Sequence, residues 1–359
     1  MKRRSIKAPR SRDEDRAPQS PAEISSYRKA IAFLLCLRRK PMPLPKLVTG
    51  VALCMTAIII GLFPMDSTRL FAEGPAGNPQ NAMGNAPCVW LSPVENPDHT
   101  LNVQRTIESL QKNGFGCQAM PIAAKPPYGW WDFQQLVAAA DKAGIDTWAV
   151  LIPPSEGGNS LPYATDYVTW FKVLAKLSLR YPHLRGVNID DMVQGISPKT
   201  FTRDYVCELY RDKQDINPQF LAIPTAYDLD TALADRVTGC VDGVWLWWVN
   251  LETSVGHTSF LENSRLAVNG RFPIYAGVYA HSTSWHPEGE PSTDLFRRTL
   301  ENGCRYSDGV VMWNLSLLDS DPLLAIARTF TAGGSSQYAG HCGESYQPAS
   351  SLEQHPAGK

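Results

Sequence analysis

Eight times along this chain, a short β-rich run is followed by a stretch of helical periodicity. That alternation limits the fold more than any other feature. The runs are "CVWLSP" (88–93), "CQAMPIAA" (117–124), "DTWAVLIPP" (146–154), "RGVNIDD" (185–191), "FLAIPTAYD" (220–228), "DGVWLWWVN" (242–250), "FPIYAGVYAH" (272–281) and "DGVVMWNLS" (308–316). Their Val, Ile, Trp and Tyr content suits strands buried on both faces. Between them, "TLNVQRTIESLQKNG" places Val103, Ile107 and Leu110 at i, i+4 and i+7 before a terminating Gly114. "WDFQQLVAAADKAG" and "DLFRRTLENG" also end on glycine, where a helix C-cap favours it. Pro322 stands near the start of the last helical segment, a tolerated position. Eight β-α repeats between residues 87 and 330 predict an α/β fold, a single (β/α)8 (TIM) barrel. An open doubly wound sheet would more often carry a glycine-rich phosphate loop after its first strand, and "LSPVENPD" has none.

The flanks read differently. Residues 1–46 form a basic extension with 13 Lys/Arg against 4 Asp/Glu. "KLVTGVALCMTAIIIGLF" follows, apolar from Leu47 to Phe63, with Leu70-Phe71-Ala72 as a small-residue cleavage site. This is the pattern of an export signal over 47–72, either cleaved or kept as a signal-anchor. Met42 is an alternative start that would give a conventional leader. Residues 73–86 read as a linker and 331–359 as a flexible tail. Six of the eight cysteines lie beyond the leader: Cys88, Cys117, Cys207, Cys240, Cys304 and Cys342. An even number in an oxidising compartment permits three disulfides, in any of 15 connectivities. The expectation is a periplasmic or secreted protein that touches membrane only through residues 47–63.

After Lys46 the chain holds 21 basic and 31 acidic residues, a balance of −10. That charge argues against nucleic acid as a partner and favours a neutral or cationic substrate.

A barrel of this kind gathers its chemistry at the C-terminal ends of the strands. Those ends supply Ser92, Glu95, Met120, Pro153, Asp190, Asp191, Tyr227, Asp228, Trp247, Trp248, Asn250, Tyr279, His281, Trp313 and Asn314. The set is rich in aromatics, amides and carboxylates and has no nucleophile elbow of the GxSxG kind. Aromatic faces stack on sugar rings, and paired carboxylates cleave glycosidic bonds. The central feature is "LRGVNIDDMVQG" (184–195), where two aspartates close an apolar run. Gly186, Asn188 and Asp190 share one face of that strand, which should point into the barrel, and Val187 and Ile189 share the other. Asp191 should stand at the rim. The bland alternatives are a helix cap for Asp191 and an ion pair with Arg185 for Asp190. Two carboxylates this close do not both ionise easily, so one is pushed towards the range of a general acid. A conventional retaining glycosidase would need a second carboxylate across the cleft. Asp228 and Glu252 are options, with Glu95, Glu288 and Glu290 on loops.

"NIDDM" at the end of strand four resembles the paired aspartates of O-GlcNAcase-type β-N-acetylglucosaminidases, TIM-barrel glycoside hydrolases. The resemblance implies a retaining reaction in which the substrate's acetamido oxygen is the nucleophile. Asp190 would then orient the acetamido group and Asp191 would be the general acid/base. "WLWWVN" is similar to that family's sugar-pocket segment and implies Trp247 and Asn250 as contacts. Asn188, Tyr227, Asp228, Trp248, Tyr279, His281, Trp313 and Asn314 complete the expected carbohydrate site. No cofactor and no metal is called for.

Two rival readings arise from other features. "HSTSWHPE" (281–288) together with the Asp pair is similar to the motifs of metal-dependent polysaccharide deacetylases, although His281 and His286 are spaced i, i+5 rather than i, i+4. A non-catalytic barrel that binds glycans through its aromatic cleft is the second.

Overall fold

The computed structural model describes residues 86–192, 197–282, 289–338 and Cys342. The basic extension, the leader and nearly all of the linker lie outside these residues, as do His286 and Glu288.

All eight β-rich runs form strands. They are β1 (Cys88–Trp90), β2 (Cys117–Ile122), β3 (Asp146–Leu151), β4 (Leu184–Ile189), β5 (Leu221–Ala222), β6 (Thr225–Ala226), β7 (Val244–Trp247), β8 (Ile274–Tyr279) and β9 (Val310–Trp313). They join in one parallel sheet of order β5-β4-β3-β2-β1-β9-β8-β7-β6. The two ends of that order, β5 and β6, are halves of the fifth run. Only Ile223 and Pro224 separate them, and Pro224 has no N–H to continue the ladder. The ladder still passes through this break: the Ile223 N–H donates to the Val187 carbonyl at 3.0 Å, and the Trp245 N–H to the Pro224 carbonyl at 2.9 Å. The sheet therefore closes on itself as an eight-staved barrel.

Side-chain alternation along the staves separates two cores. Outward residues such as Val187, Ile189, Leu246, Val278 and Met312 pack under the helices. Inward residues make a second cluster of Trp90, Trp148, Val150, Ile223, Trp245, Trp247, Tyr275, Tyr279 and Val311. Trp245 lies 5.3 Å from Trp90 and 5.7 Å from Trp148, and Trp247 lies 5.1 Å from both Trp90 and Tyr279. Rings of this size fit because glycines face them. A Cβ on Gly277 would come within 2.2 Å of the Trp247 ring, and one on Gly186 within 2.4 Å of Trp148. Tryptophan therefore fills the barrel interior where smaller branched residues are usual.

Three disulfides pair the six cysteines in chain order: Cys88–Cys117, Cys207–Cys240 and Cys304–Cys342. The first links β1 to β2 inside the barrel.

One sequence expectation is corrected. Gly303 does not cap a helix: α8 runs Thr293–Tyr306, straight through it. A Cβ there would sit 3.0 Å from both Ala276 and Val310, so this glycine lets the helix approach β8 and β9 closely. Beyond the last helix, Tyr338 stacks on Phe330 at 5.7 Å and Cys342 is buried in its disulfide; the expected tail past Tyr338, Cys342 apart, lies outside the described residues. No helix among the described residues is long and apolar enough to cross a membrane.

Candidate active site at the barrel mouth

Strand β4 delivers the aspartates to the C-terminal end of the barrel. Asn188, fully buried one layer below, donates to the Ile223 carbonyl at 2.6 Å and to the Thr225 hydroxyl at 3.1 Å. These bonds to the fifth stave fix where the strand ends. Arg185 cannot reach Asp190, because it faces Asp146 at 3.8 Å near the start of the strand. Asp190 follows the inward face and accepts the Asp191 N–H at 3.0 Å. Asp191 adopts a left-handed backbone with φ 44°. That conformation costs an L-residue about 1 kcal/mol and collects at functional positions. Leu91 and Ser92 after β1, and Asn314 after β9, share it.

Burial raises both carboxyls of the pair, and repulsion adds to it at Asp190. Asp190 is held well above the usual carboxylate range, first by loss of solvent and then by the charges of Asp191 and Glu156. Burial also raises Asp191, opposed by a hydrogen bond from the Tyr227 hydroxyl. The other carboxylate oxygen of Asp191, Oδ1, is buried without a hydrogen bond among the described residues. The Tyr279 hydroxyl bonds that of Tyr227, so a relay runs Tyr279–Tyr227–Asp191. Both phenols are pushed up, chiefly by burial, and remain protonated donors. Trp313 meets Tyr279 edge to face at 5.6 Å and lines the same wall.

Glu156 is a member of this cluster that reading strand ends alone does not reveal. It closes the one-turn helix Pro154–Glu156, three residues past Pro153 on the loop that follows β3. Glu156 is exposed as a residue, yet its carboxyl is raised, by partial desolvation first and by Asp191 second. The sequence signal was "IPPSEGG": a carboxylate between a proline pair and a glycine pair, on a loop at the catalytic end.

The remaining expected residues divide by strand alternation. Trp247 faces inward but is 1% exposed, wedged against Trp90 and Tyr279, so it fills the barrel and offers no ring face to a ligand. Trp248 points outward, packs on His257 and Phe260 and donates to the Thr253 carbonyl at 3.2 Å. Asp228 also turns outward, next to Tyr227, and borders a groove with Phe260 and Asn263. Asn250 shapes its own loop, accepting from the backbones of Glu252 and Thr253 at 3.0 and 3.1 Å. Asn314 accepts from Ser92 at 2.8 Å and ties two rim loops together.

His281 is engaged on both ring nitrogens, by Asp321 at 2.8 Å and by Glu290 at 3.3 Å. Burial opposes protonation of this ring, but the two carboxylates together raise its pKa. His281 therefore latches the loop after β8 to Asp321, the N-cap of the last helix, α9 (Pro322–Ala327). Glu95 pairs with His99 at 3.0 Å. No group of three or more His, Cys, Asp or Glu able to hold a metal occurs among the described residues.

No protein-family model and no curated protein matches the sequence. Among solved structures, similar chains include the GH99 endo-α-mannosidase of Bacteroides thetaiotaomicron, with 12% identity, 60% of this chain and 70% of that one covered, and a TM-score of 0.44. An endocellulase of Pyrococcus horikoshii has 11% identity, coverage of 65% and 85%, and a TM-score of 0.46. The endo-1,4-β-mannanase of Rhizomucor miehei has 10% identity, coverage of 63% and 88%, and a TM-score of 0.45.

The raised Asp190 carboxyl has a consequence for stability. Below about pH 4 the group is protonated in folded and unfolded chains alike. As pH rises past that value the unfolded chain releases its proton freely while the fold retains it, so stability falls until the folded-state pKa is passed. Asp190→Asn removes this penalty and keeps an oxygen for the Asp191 N–H. Thermal unfolding should show the variant more stable than wild type at pH 7, with the difference closing towards pH 4. An equal or lower melting temperature at pH 7 would contradict it.

Proposed function

We propose that the protein is an exported glycoside hydrolase whose catalytic carboxylates are Asp190 and Asp191. The observation that carries this reading is the cluster of Asp190, Asp191 and Glu156 at the barrel mouth, each raised above its ordinary range by burial or by its neighbours. A raised carboxylic acid can donate a proton to a departing sugar oxygen at neutral pH. Tyr227 and Tyr279 add donors on one side, and Trp313 adds a partly exposed ring. Three disulfides and the leader pattern support export.

In this proposal the substrate is an amino-sugar glycan and the reaction retains configuration. Asp190, the deeper group, orients the acetamido substituent so that its oxygen attacks the anomeric carbon. Asp191, at the rim, protonates the leaving oxygen and then activates water. A second reading draws on Glu156. Its coupling to Asp191 suits a conventional pair in which Glu156 is the nucleophile and Asp191 the acid. The two are separable. Substrate assistance predicts tight inhibition by a thiazoline mimic of the cyclised intermediate and no turnover of a plain glucoside. A covalent adduct trapped on Glu156 would establish the second.

Charge sets the preferred polymer. With −10 after Lys46 and three carboxylates at the mouth, a neutral or partly de-N-acetylated glycan should be cleaved faster than a uronic-acid polymer. Reducing ends released from glycol chitin, chitosan, alginate and pectate under one set of conditions test this. Faster cleavage of alginate or pectate would overturn the substrate assignment.

A further inference from the structure

Five of the nine tryptophans among the described residues are hidden. Trp90, Trp148, Trp170, Trp245 and Trp247 are at most 3% exposed, whereas Trp131 is 70% exposed. An indole left in water forgoes a large burial energy.

The backbone that carries Trp131 is helical. Trp131 is the second residue of α2 (Trp130–Ala143), which begins at the catalytic end of the barrel just after the β2 loop. The helix start is fixed by the Asp132 carboxylate, which accepts the Gly129 N–H at 3.2 Å. Its neighbour Trp130 turns inward, 5.9 Å from Phe133 and 5.1 Å from Trp170. Trp170 is the hub of this region. Tyr163 packs on it at 4.9 Å, and its indole N–H donates to the Ser160 carbonyl at 3.1 Å. Ser160 in turn accepts the Ile152 N–H at 2.8 Å, fastening the loop that carries Glu156. The segment bearing Trp131 and the loop bearing Glu156 are thus anchored to one buried indole. The same loop exposes Leu161 by 46%.

We infer that Trp131 is an outlying carbohydrate subsite, a stacking platform for a sugar of the same polymer beyond the one at the carboxylates. The chain then acts on long glycans, gripping them at Trp131 and at the carboxylates. This rests on the glycosidase reading for the second point but not for the first. Stacking on a ring that is already exposed on a helical backbone needs no rearrangement of the fold. It is available only to chains long enough to reach.

The test is the dependence of binding on chain length, measured with the full chain by affinity electrophoresis and titration calorimetry. The probes are chitobiose and glycol chitin, with glucomannan and xylan as other neutral polymers. Wild type should bind its polymer more tightly than the disaccharide. Trp131→Ala should lose about tenfold of the polymer affinity, equivalent to about 1.4 kcal/mol, and with it the length dependence. Trp131→Phe, which keeps a ring, should restore part of it. Equal polymer affinity in wild type and Trp131→Ala would overturn the subsite. Binding that depends on Trp131, without bond cleavage, would uphold the subsite and overturn the glycosidase reading. Failure of wild type to bind any of these glycans would overturn both.

Discussion

Asp191→Asn is expected to slow hydrolysis of natural glycosides by about 10³-fold, the range that a positioned general acid contributes. Aryl glycosides with good leaving groups should lose far less, because their departure needs little protonation. Asp190→Asn should be damaging whatever the leaving group, since orientation and charge stabilisation are lost with every substrate. The two variants are thereby separated by one plot of rate against leaving-group pKa: steep for Asp191→Asn, flat and low for Asp190→Asn. The observation behind this division is that Asp191 stands at the rim under a Tyr227 hydrogen bond, while Asp190 lies deeper beneath two neighbouring negative charges. Two near-wild-type variants would return both aspartates to a structural role.

The second large effect is on stability and comes from the barrel interior. At Gly186 a Cβ would meet the Leu221 carbonyl oxygen at 2.5 Å as well as Trp148 at 2.4 Å. The carbonyl belongs to the neighbouring stave and cannot rotate away, so Gly186→Ala should cost about 3 kcal/mol in urea unfolding, the upper part of the usual range for overpacking. Gly277→Ala meets the Trp247 ring, which holds the three atoms nearest its Cβ, the first at 2.2 Å. Its cost should be similar alone but relieved when combined with Trp247→Phe. That second change sacrifices little, because the Trp247 indole N–H has no hydrogen-bond partner among the described residues. Rescue of Gly277→Ala but not of Gly186→Ala by the smaller ring is the expected pattern. Wild-type stability for Gly186→Ala would contradict the close packing.

The eightfold alternation was legible because a stave buried on both faces needs a β-rich apolar run, and each crossover needs a helix. Only Pro224, by breaking the ladder locally, splits one run in two. The inward turn of Asn188 was legible from period two. The same rule, applied to adjacent candidates, separates Tyr227 from Asp228 and Trp247 from Trp248, since neighbours on a strand cannot both face the interior. What the rule cannot supply is depth. Trp247 points inward but lies below the mouth, and only its contacts with Trp90 and Tyr279 reveal this. Glu156 escaped for a different reason. It reaches the mouth from a loop, and loop paths follow from packing such as the Trp170 hub rather than from periodicity. Gly303 resembles a C-cap in sequence because close helix–sheet approach and a left-handed cap both select glycine.

Cleavage of glycosidic bonds by the Asp190–Asp191 pair is the proposed reaction. It is tested most directly by comparing wild type with the Asp190→Asn/Asp191→Asn double variant, matched for folding by circular dichroism. Both are incubated with the same panel of amino-sugar and neutral glycans, and new reducing ends are counted and identified by mass spectrometry. Wild type should release fragments from at least one glycan, and the double variant none above background. Release of no fragments by wild type, or equal release by both proteins, would contradict it.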